Sequence, residues 1–329
     1  MGDIVLLIFS LAVILAGAGV FTNAVEWLGK RLNLGEGAVG SILAAVGTAL
    51  PETMVPVMAV LGLRGTGGEE VGIGAILGAP FMLASLALFI LGLAIMIFRR
   101  GNKPLQINST IVMRDLKYFI VVYALAIMAS FLPGTLKSLV IIMLLGGYGV
   151  YVYQTIKAGR GKTAWVTDVP PFYFSRKTTN PSLLIILGQL LAALLIILVG
   201  ARFFVTSLQQ VAIAAGIPVL ILSLIITPVA TELPEKFNSI IWAARGKDNL
   251  ALGNITGAMV FQGSLIPALG IAFTPWILEP LALTSALLAL VSACLQYFFL
   301  LRHKTLYPAG LLWGGVFYAV FMFLAFKGL

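Results

Sequence analysis

Two glutamates stand in the middle of apolar runs. Glu52 lies in the run 36–62 and Glu235 in the run 216–244, each directly after a proline, as Leu50-Pro51-Glu52 and Leu233-Pro234-Glu235. A carboxylate at the centre of a bilayer costs roughly 2.5–3.5 kcal/mol on insertion scales, so a bound cation, a proton or a set of neighbouring donors must offset it. Pro51 and Pro234 each remove a helix donor and free a carbonyl, and Pro228 adds a further expected break to the second run. Freed carbonyls survive in lipid only where protein or a water-filled cavity satisfies them. Thr48 precedes Glu52 by four residues and Thr231 precedes Glu235 by four. In a helix that spacing stacks a hydroxyl and a carboxylate on one face, which gives a hard cation two oxygens of the kind it prefers. The alternative for either threonine is a hydrogen bond back to its own helix.

Around this pair lie further polar positions. Glu232 sits three residues before Glu235 and four before Lys236. Repulsion within the acidic pair favours a proton or cation there, whereas a Glu–Lys pair at i,i+4 is favourable in a helix. Glu232 is therefore either an additional ion or proton site or a structural partner of Lys236. Gln262, in the eighth apolar run, offers a neutral oxygen to an ion or a helix–helix hydrogen bond, and Asn254 is polar in the same run. Arg202 lies inside the sixth run, where its stem can snorkel to the interface.

The elements that position these residues are membrane spans. Of 329 residues, 60% are hydrophobic and only 10% are charged, against about 25% charged in ordinary soluble domains. Mean hydropathy is +1.06. A soluble fold cannot bury so much apolar surface, and a disordered chain does not carry it. Ten runs are long enough to cross a bilayer: 4–28, 36–62, 71–98, 116–133, 136–157, 182–208, 216–244, 249–273, 278–301 and 306–327. The first lacks a basic leader and an A-x-A cleavage pattern and is expected to be a retained helix. Counted by alternate loops, sixteen of the 21 basic residues fall on one side and three on the other, with Arg202 and Lys236 inside runs. The positive-inside rule then predicts both termini outside, an integral protein of the plasma (inner) membrane. The net charge of +9 lies in links between spans rather than on a soluble basic face, so no nucleic-acid partner is expected. His303 falls in one such basic link, and Cys294, the one cysteine, excludes an intrachain disulfide.

The chain also repeats itself. At a shift of 183 residues, Gly17-Ala18 and Phe21 fall on Gly200-Ala201 and Phe204, and Val46, Thr48 and Leu50-Pro51-Glu52 fall on Val229, Thr231 and Leu233-Pro234-Glu235. At a shift of 179, Gly74–Ala79 falls on Gly253–Ala258. The glycines at 74, 78, 253 and 257 keep a G-x-x-x-G spacing that allows close helix approach. The expected organisation is a first five-helix repeat over 1–157, a cytoplasmic linker over 158–181, and a second repeat over 182–329. An odd number of spans per repeat inverts the second copy, an arrangement that places transporter sites near the midplane. The predicted fold class is all-α and polytopic, with ten transmembrane helices in two inverted repeats.

At these motifs the chain resembles the cation/Ca²⁺ exchanger superfamily, whose membrane fold is that of the sodium/calcium exchangers. The family pattern G-T-S-x-P-E is matched by Gly47-Thr48-Ala49-Leu50-Pro51-Glu52 and by Ala230-Thr231-Glu232-Leu233-Pro234-Glu235. Its second element, G-N-x-x-G-S-N-x-x-N/D, is matched by Gly74–Leu83 and Gly253–Gln262. The resemblance implies that Glu52 and Glu235 are the paired central carboxylates, that Thr48 and Thr231 add oxygens, and that a two-helix gate slides against an eight-helix core. This chain departs from the pattern at Ala49, Glu232, Ala79, Ala258, Leu83 and Gln262. The implied site is asymmetric, with most of its charge on the second repeat.

The expected function is secondary antiport: export of Ca²⁺ against Na⁺ or H⁺, with Glu52, Glu235, Thr48, Thr231, Glu232 and Gln262 around the cation. The alternative is a divergent member that no longer exchanges Ca²⁺ and moves another cation or solute or serves as a non-transporting membrane module. No resident cofactor is expected, only transported cations, and the partners are the lipid bilayer and small cations. The absence of a P-loop argues against an ATP-driven pump, and no intramembrane His or Cys cluster supports an enzyme. The sequence leaves the oligomeric state open.

Overall fold

The computed structural model describes residues 2–31, 50–62, 68–99, 101–159, 171–175 and 180–327. Every regular element among them is helical. In chain order, α1 is Gly2–Arg31, and α2 is Leu50–Val57 extended by a π turn at Met58–Gly62. Helix α3 comprises Gly68–Met82, a π turn at Leu83–Ala87 and Leu88–Phe98. Next come α4 (Ser109–Met128), α5 (Gly134–Gly159) and α6 (Leu183–Ala215). The chain continues as α7 (Val219–Ala244), α8 (Asp248–Phe273) and α9 (Pro280–His303), and α10 is Pro308–Leu311 followed by Trp313–Lys327.

Each of the ten predicted runs falls at least partly on one of these helices. Among the described residues seven are long and apolar enough to cross a membrane: α1, α3, α5, α6, α8, α9 and α10. Helix α4 carries Arg114, Asp115 and Lys117, and α7 carries Glu232, Glu235 and Lys236, so both are too charged to meet that description. Two boundaries move from their predicted places. Helix α4 begins at Ser109 rather than 116, because the Asn108 side chain caps it by accepting from the amides of Thr110 and Ile111. Helix α6 runs on to Ala215 rather than 208. It stops where Gly216 takes a left-handed φ of 66° and the Ile217 amide reaches back to the Ala212 carbonyl, the usual glycine termination.

The centre of the molecule is α3 and α8, whose most apolar stretches are 61% and 72% buried, against 22% for α1 and 28% for α6. Helix α3 meets α7 backbone to backbone. A β-carbon on Gly78 would stand 2.4 Å from the Leu224 carbonyl oxygen and 2.7 Å from the Pro228 ring; one on Gly74 would stand 2.7 Å from Ser223. The Ser223 hydroxyl donates to the Val71 carbonyl at 2.7 Å. The expected break at Pro228 and Pro234 does not occur, for α7 is continuous through both. The physical reason at Pro228 is visible. Its missing amide leaves the Leu224 carbonyl without its helical donor, and α3 packs against that carbonyl at Gly78, where no side chain intervenes.

The two chain halves are joined at one end of this core. Arg99, closing α3, pairs with Asp248 at the start of α8 at 2.6 and 2.8 Å. The Gln106 amide donates to the same carboxylate at 2.7 Å, and the Asn108 amide donates to the Asn249 side chain at 2.5 Å. Leu105 and Leu306 are joined by a backbone hydrogen bond of 2.9 Å. Helices α1 and α6 lie to one side, packed chiefly on each other and against α2 and α7. They run antiparallel. A β-carbon on Gly17 would stand 2.9 Å from Cγ1 of Ile197, and one on Gly200 would stand 2.9 Å from Cγ1 of Ile14.

Candidate functional site

Glu52 sits in the first turn of α2 and is 5% exposed. Glu232 sits midway along α7 and is 1% exposed, with Thr231 beside it equally buried. Gln262, at 2% exposed, projects from the middle of α8. The helices bearing these residues pack against one another in every pairing: α2 on α7, α7 on α8 and α2 on α8. Acids on largely apolar helices are therefore withdrawn from lipid, on three helices that contact one another.

The polar atoms differ in how they are used. The Thr231 hydroxyl donates to the Thr227 carbonyl at 2.9 Å, the back-bond weighed from sequence; the oxygen keeps lone pairs that can still accept or coordinate. The Gln262 carbonyl oxygen is buried and accepts no hydrogen bond among the described residues. Asn254 donates to the Ser239 hydroxyl at 3.0 Å and so ties α8 to α7. Glu235 lies on α7, three residues beyond Glu232; its side chain and that of Lys236 fall outside the described residues, as does Thr48 altogether. Arg202 is exposed on α6, in keeping with snorkelling. Beside Glu52, an apolar cleft opens between α2 and α8, lined by Thr53, Val57 and Val60 and by Ile266, Gly270 and Phe273. No cluster of three His, Cys, Asp or Glu side chains forms among the described residues. Any cation here relies on few carboxylates supplemented by hydroxyl, amide and backbone oxygens.

Sequence reasoning missed two polar groups. Asp115 on α4 is 3% exposed and pairs with Arg114 at 2.9 Å. It also accepts from the Thr256 hydroxyl on α8 at 3.0 Å, and the Arg114 guanidinium lies over the Tyr151 ring of α5. An Arg-Asp dipeptide just before an apolar run is the available signal, hidden because the helix starts at Ser109, ahead of the run predicted from 116. The second group, Asn23 with Gln189, is a pair of amides in two long, mainly apolar helices.

The sodium/calcium exchanger protein family matches this chain over residues 3–157 and 185–327, nearly its whole length. The chain belongs to that family. Among related sequences, the inner membrane protein YrbG of Escherichia coli K12 is 26% identical over 278 residues, covering 84% of this chain and 82% of that protein. The fold is that of solved exchangers. The crystal structure of the H⁺/Ca²⁺ exchanger CAX matches with a TM-score of 0.72 at 17% identity, covering 99% of this chain and 87% of that one. A structure of the sodium–calcium exchanger NCX_Mj, soaked with Na⁺ and Sr²⁺, matches with a TM-score of 0.54 at 20% identity, covering 99% and 98%. As an exchanger-family member the chain is an integral membrane protein of the transporter class, with a lipid bilayer around it and small cations as the class of substrate.

Proposed function

We propose that this exchanger-family protein is a secondary-active antiporter that exports Ca²⁺ in exchange for Na⁺ or H⁺ by alternating access. The observation that carries the reading is the burial of Glu52 and Glu232 on α2 and α7, two helices in contact inside an exchanger fold. In this reading Glu52 and Glu235 are the paired midplane carboxylates. Thr48, Thr231, Glu232 and Gln262 supply further oxygens. Calcium takes six to eight of these, so backbone carbonyls and water complete the shell. In the low-dielectric interior, unneutralised carboxylates cannot be reoriented cheaply. The site therefore crosses only when loaded, with Ca²⁺ from one side or with Na⁺ or protons from the other, and this requirement couples the two fluxes.

The same reading places ten spans in two inverted halves, 1–157 and 182–329, around a linker, with both termini outside the inner membrane. The contact between α1 and α6 supports it. Gly17 against Ile197 and Gly200 against Ile14 are the same contact seen twice, exchanged by the 183-residue shift. An antiparallel contact that maps onto itself under the repeat is what a two-fold axis in the membrane plane produces.

The test is ion exchange in proteoliposomes with Na⁺ and pH gradients and a panel of divalent cations. Glu52→Gln and Glu235→Gln are each expected to abolish exchange; retained exchange in both rejects the assignment. A second reading, a member that moves another cation or none, is favoured by apolar residues where the family pattern has polar ones: Leu83 and Ala79 are buried on α3. Calorimetric titration of the purified protein with Ca²⁺ and Na⁺ separates the two, since this reading expects no heat of binding from either ion.

A further inference from the structure

The linker between the halves sends a short aromatic segment, residues 171–175, back into the molecule between α1 and α6. Phe172 is fully buried there, edge-on to Trp27 of α1 with ring centroids 6.0 Å apart, and packed on Ile186 of α6. Pro171, Tyr173 and Phe174 around it are exposed, and their backbone groups are held by two buried amides. Asn23 of α1 donates to the Pro171 carbonyl at 3.3 Å and accepts from the Tyr173 amide at 3.2 Å. Gln189 of α6 accepts from the Phe174 amide at 3.0 Å. It also donates to the Val20 carbonyl at 3.0 Å and to the Asn23 side chain at 3.1 Å. Both N–H groups and the oxygen of Gln189 are thus engaged. At the periphery Arg31 reaches Asn180 at 3.1 Å, and Lys30 lies over the Trp27 ring.

This tie exists at one end of the pair only. Under the 183-residue shift, the counterparts of Asn23 and Gln189 are Thr206 and Leu6, both exposed. The amides therefore do not follow from the repeat; they serve the linker. Against the core, by contrast, the pair presents mostly apolar groups: Ile14, Ala18, Ala201 and Phe204 share one cluster with Val55, Ala59 and Ala75. Such a seam holds largely by apolar area.

We propose that residues 171–175 are a strap that fastens α1 to α6 at their basic end, and that Asn23 and Gln189 are positioning residues of the exchange cycle. They keep two helices from different halves in register, so that both move as one body with the strap aboard. The proposal rests on the exchanger reading above and takes the two-helix gate of that reading to be α1 and α6, the pair that packs chiefly on itself. The strap stays docked throughout the cycle.

The experiment uses the full chain in proteoliposomes. In a Cys294→Ser background, Asn23→Cys with Tyr173→Cys is bridged by a short thiol cross-linker, and Ca²⁺ exchange is followed before and after. With a cross-linker attached through disulfides, bridging replaces the lost amide tie by a covalent one and is expected to leave exchange no slower than in the unbridged variant; inactivation that a reductant reverses means the strap must undock, and overturns the proposal. Gln189→Met keeps the volume and removes three hydrogen bonds. It is expected to slow exchange about tenfold, the effect of roughly 1.4 kcal/mol, while the calorimetric Ca²⁺ affinity is unchanged and chymotryptic cleavage at Phe172–Phe174 accelerates. Wild-type exchange or wild-type cleavage in Gln189→Met overturns it. Should the unaltered protein exchange no cation, the exchanger reading fails and the coupling role falls with it, whereas the cleavage comparison still reports whether the amides hold the strap.

Discussion

Helices α3, α7 and α8 on one side and α1 and α6 on the other all fall on apolar runs of the sequence but are held in different ways. In the core, backbones close on each other at glycine, as at Gly78 against the Leu224 carbonyl, and charged groups cross between halves, as at Arg99 and Asp248. Moving such an element means breaking directional bonds. The α1–α6 pair touches the core through a mainly apolar cluster, while close contacts at Gly17 and Gly200 and the strap tie its two helices to each other. The difference shows where a membrane protein can afford motion: along seams held mostly by apolar area.

Five substitutions, two of them with a compensating partner, break or sharpen this contrast, in decreasing order of expected effect. Asp248→Ala removes a fully buried carboxylate that receives an arginine and a backbone amide. Leaving the partly buried Arg99 guanidinium and the Gln106 amide without their acceptor costs about 2–3 kcal/mol, read as a drop in thermal stability of the purified protein, with exchange lost through misassembly. Gly78→Ala places a methyl group 2.4 Å from a backbone oxygen that cannot rotate away, and about 1–3 kcal/mol of stability is expected to go. Gly17→Ala meets the side chains of Ile197 and, less tightly, Ile196. Stability should change by less than about 1 kcal/mol while exchange slows, and Ile197→Ala in the same chain, which removes the colliding Cγ1, should restore exchange. Gly200→Ala with Ile14→Ala should behave alike, since the two contacts are related by the repeat; unequal behaviour of the pairs would break the symmetry argument. Cys294→Ser, on an exposed face of α9, should leave stability within about 0.5 kcal/mol and exchange unaltered.

The helices and the family were legible because lipid imposes a length and an apolarity that composition displays directly, and because the Leu-Pro-Glu motif recurs at a fixed shift. Burial of Glu52, Glu232, Thr231 and Gln262 was legible for the same reason: a polar residue inside a long apolar run must turn inward. Two things were not. The prolines of α7 predict a break when each helix is considered alone, yet a neighbouring glycine packs where the break would be. The strap depends on Asn23 and Gln189 meeting across 166 positions, and nothing local to either residue announces the other. Asp115 fell between these cases, its helix start displaced by an asparagine cap that hydropathy does not register.

The lengths of α1 and α6 carry a consequence of their own. At 30 and 33 residues they measure about 45 and 50 Å, well beyond a hydrocarbon layer of about 30 Å. A greasy rod too long for its slab must lean. Because these two lean together, a thicker or thinner bilayer changes their inclination while the tightly knitted centre stays as it is. Exchange by the proposed antiporter is then expected to vary with lipid chain length when the protein is reconstituted into bilayers of different thickness.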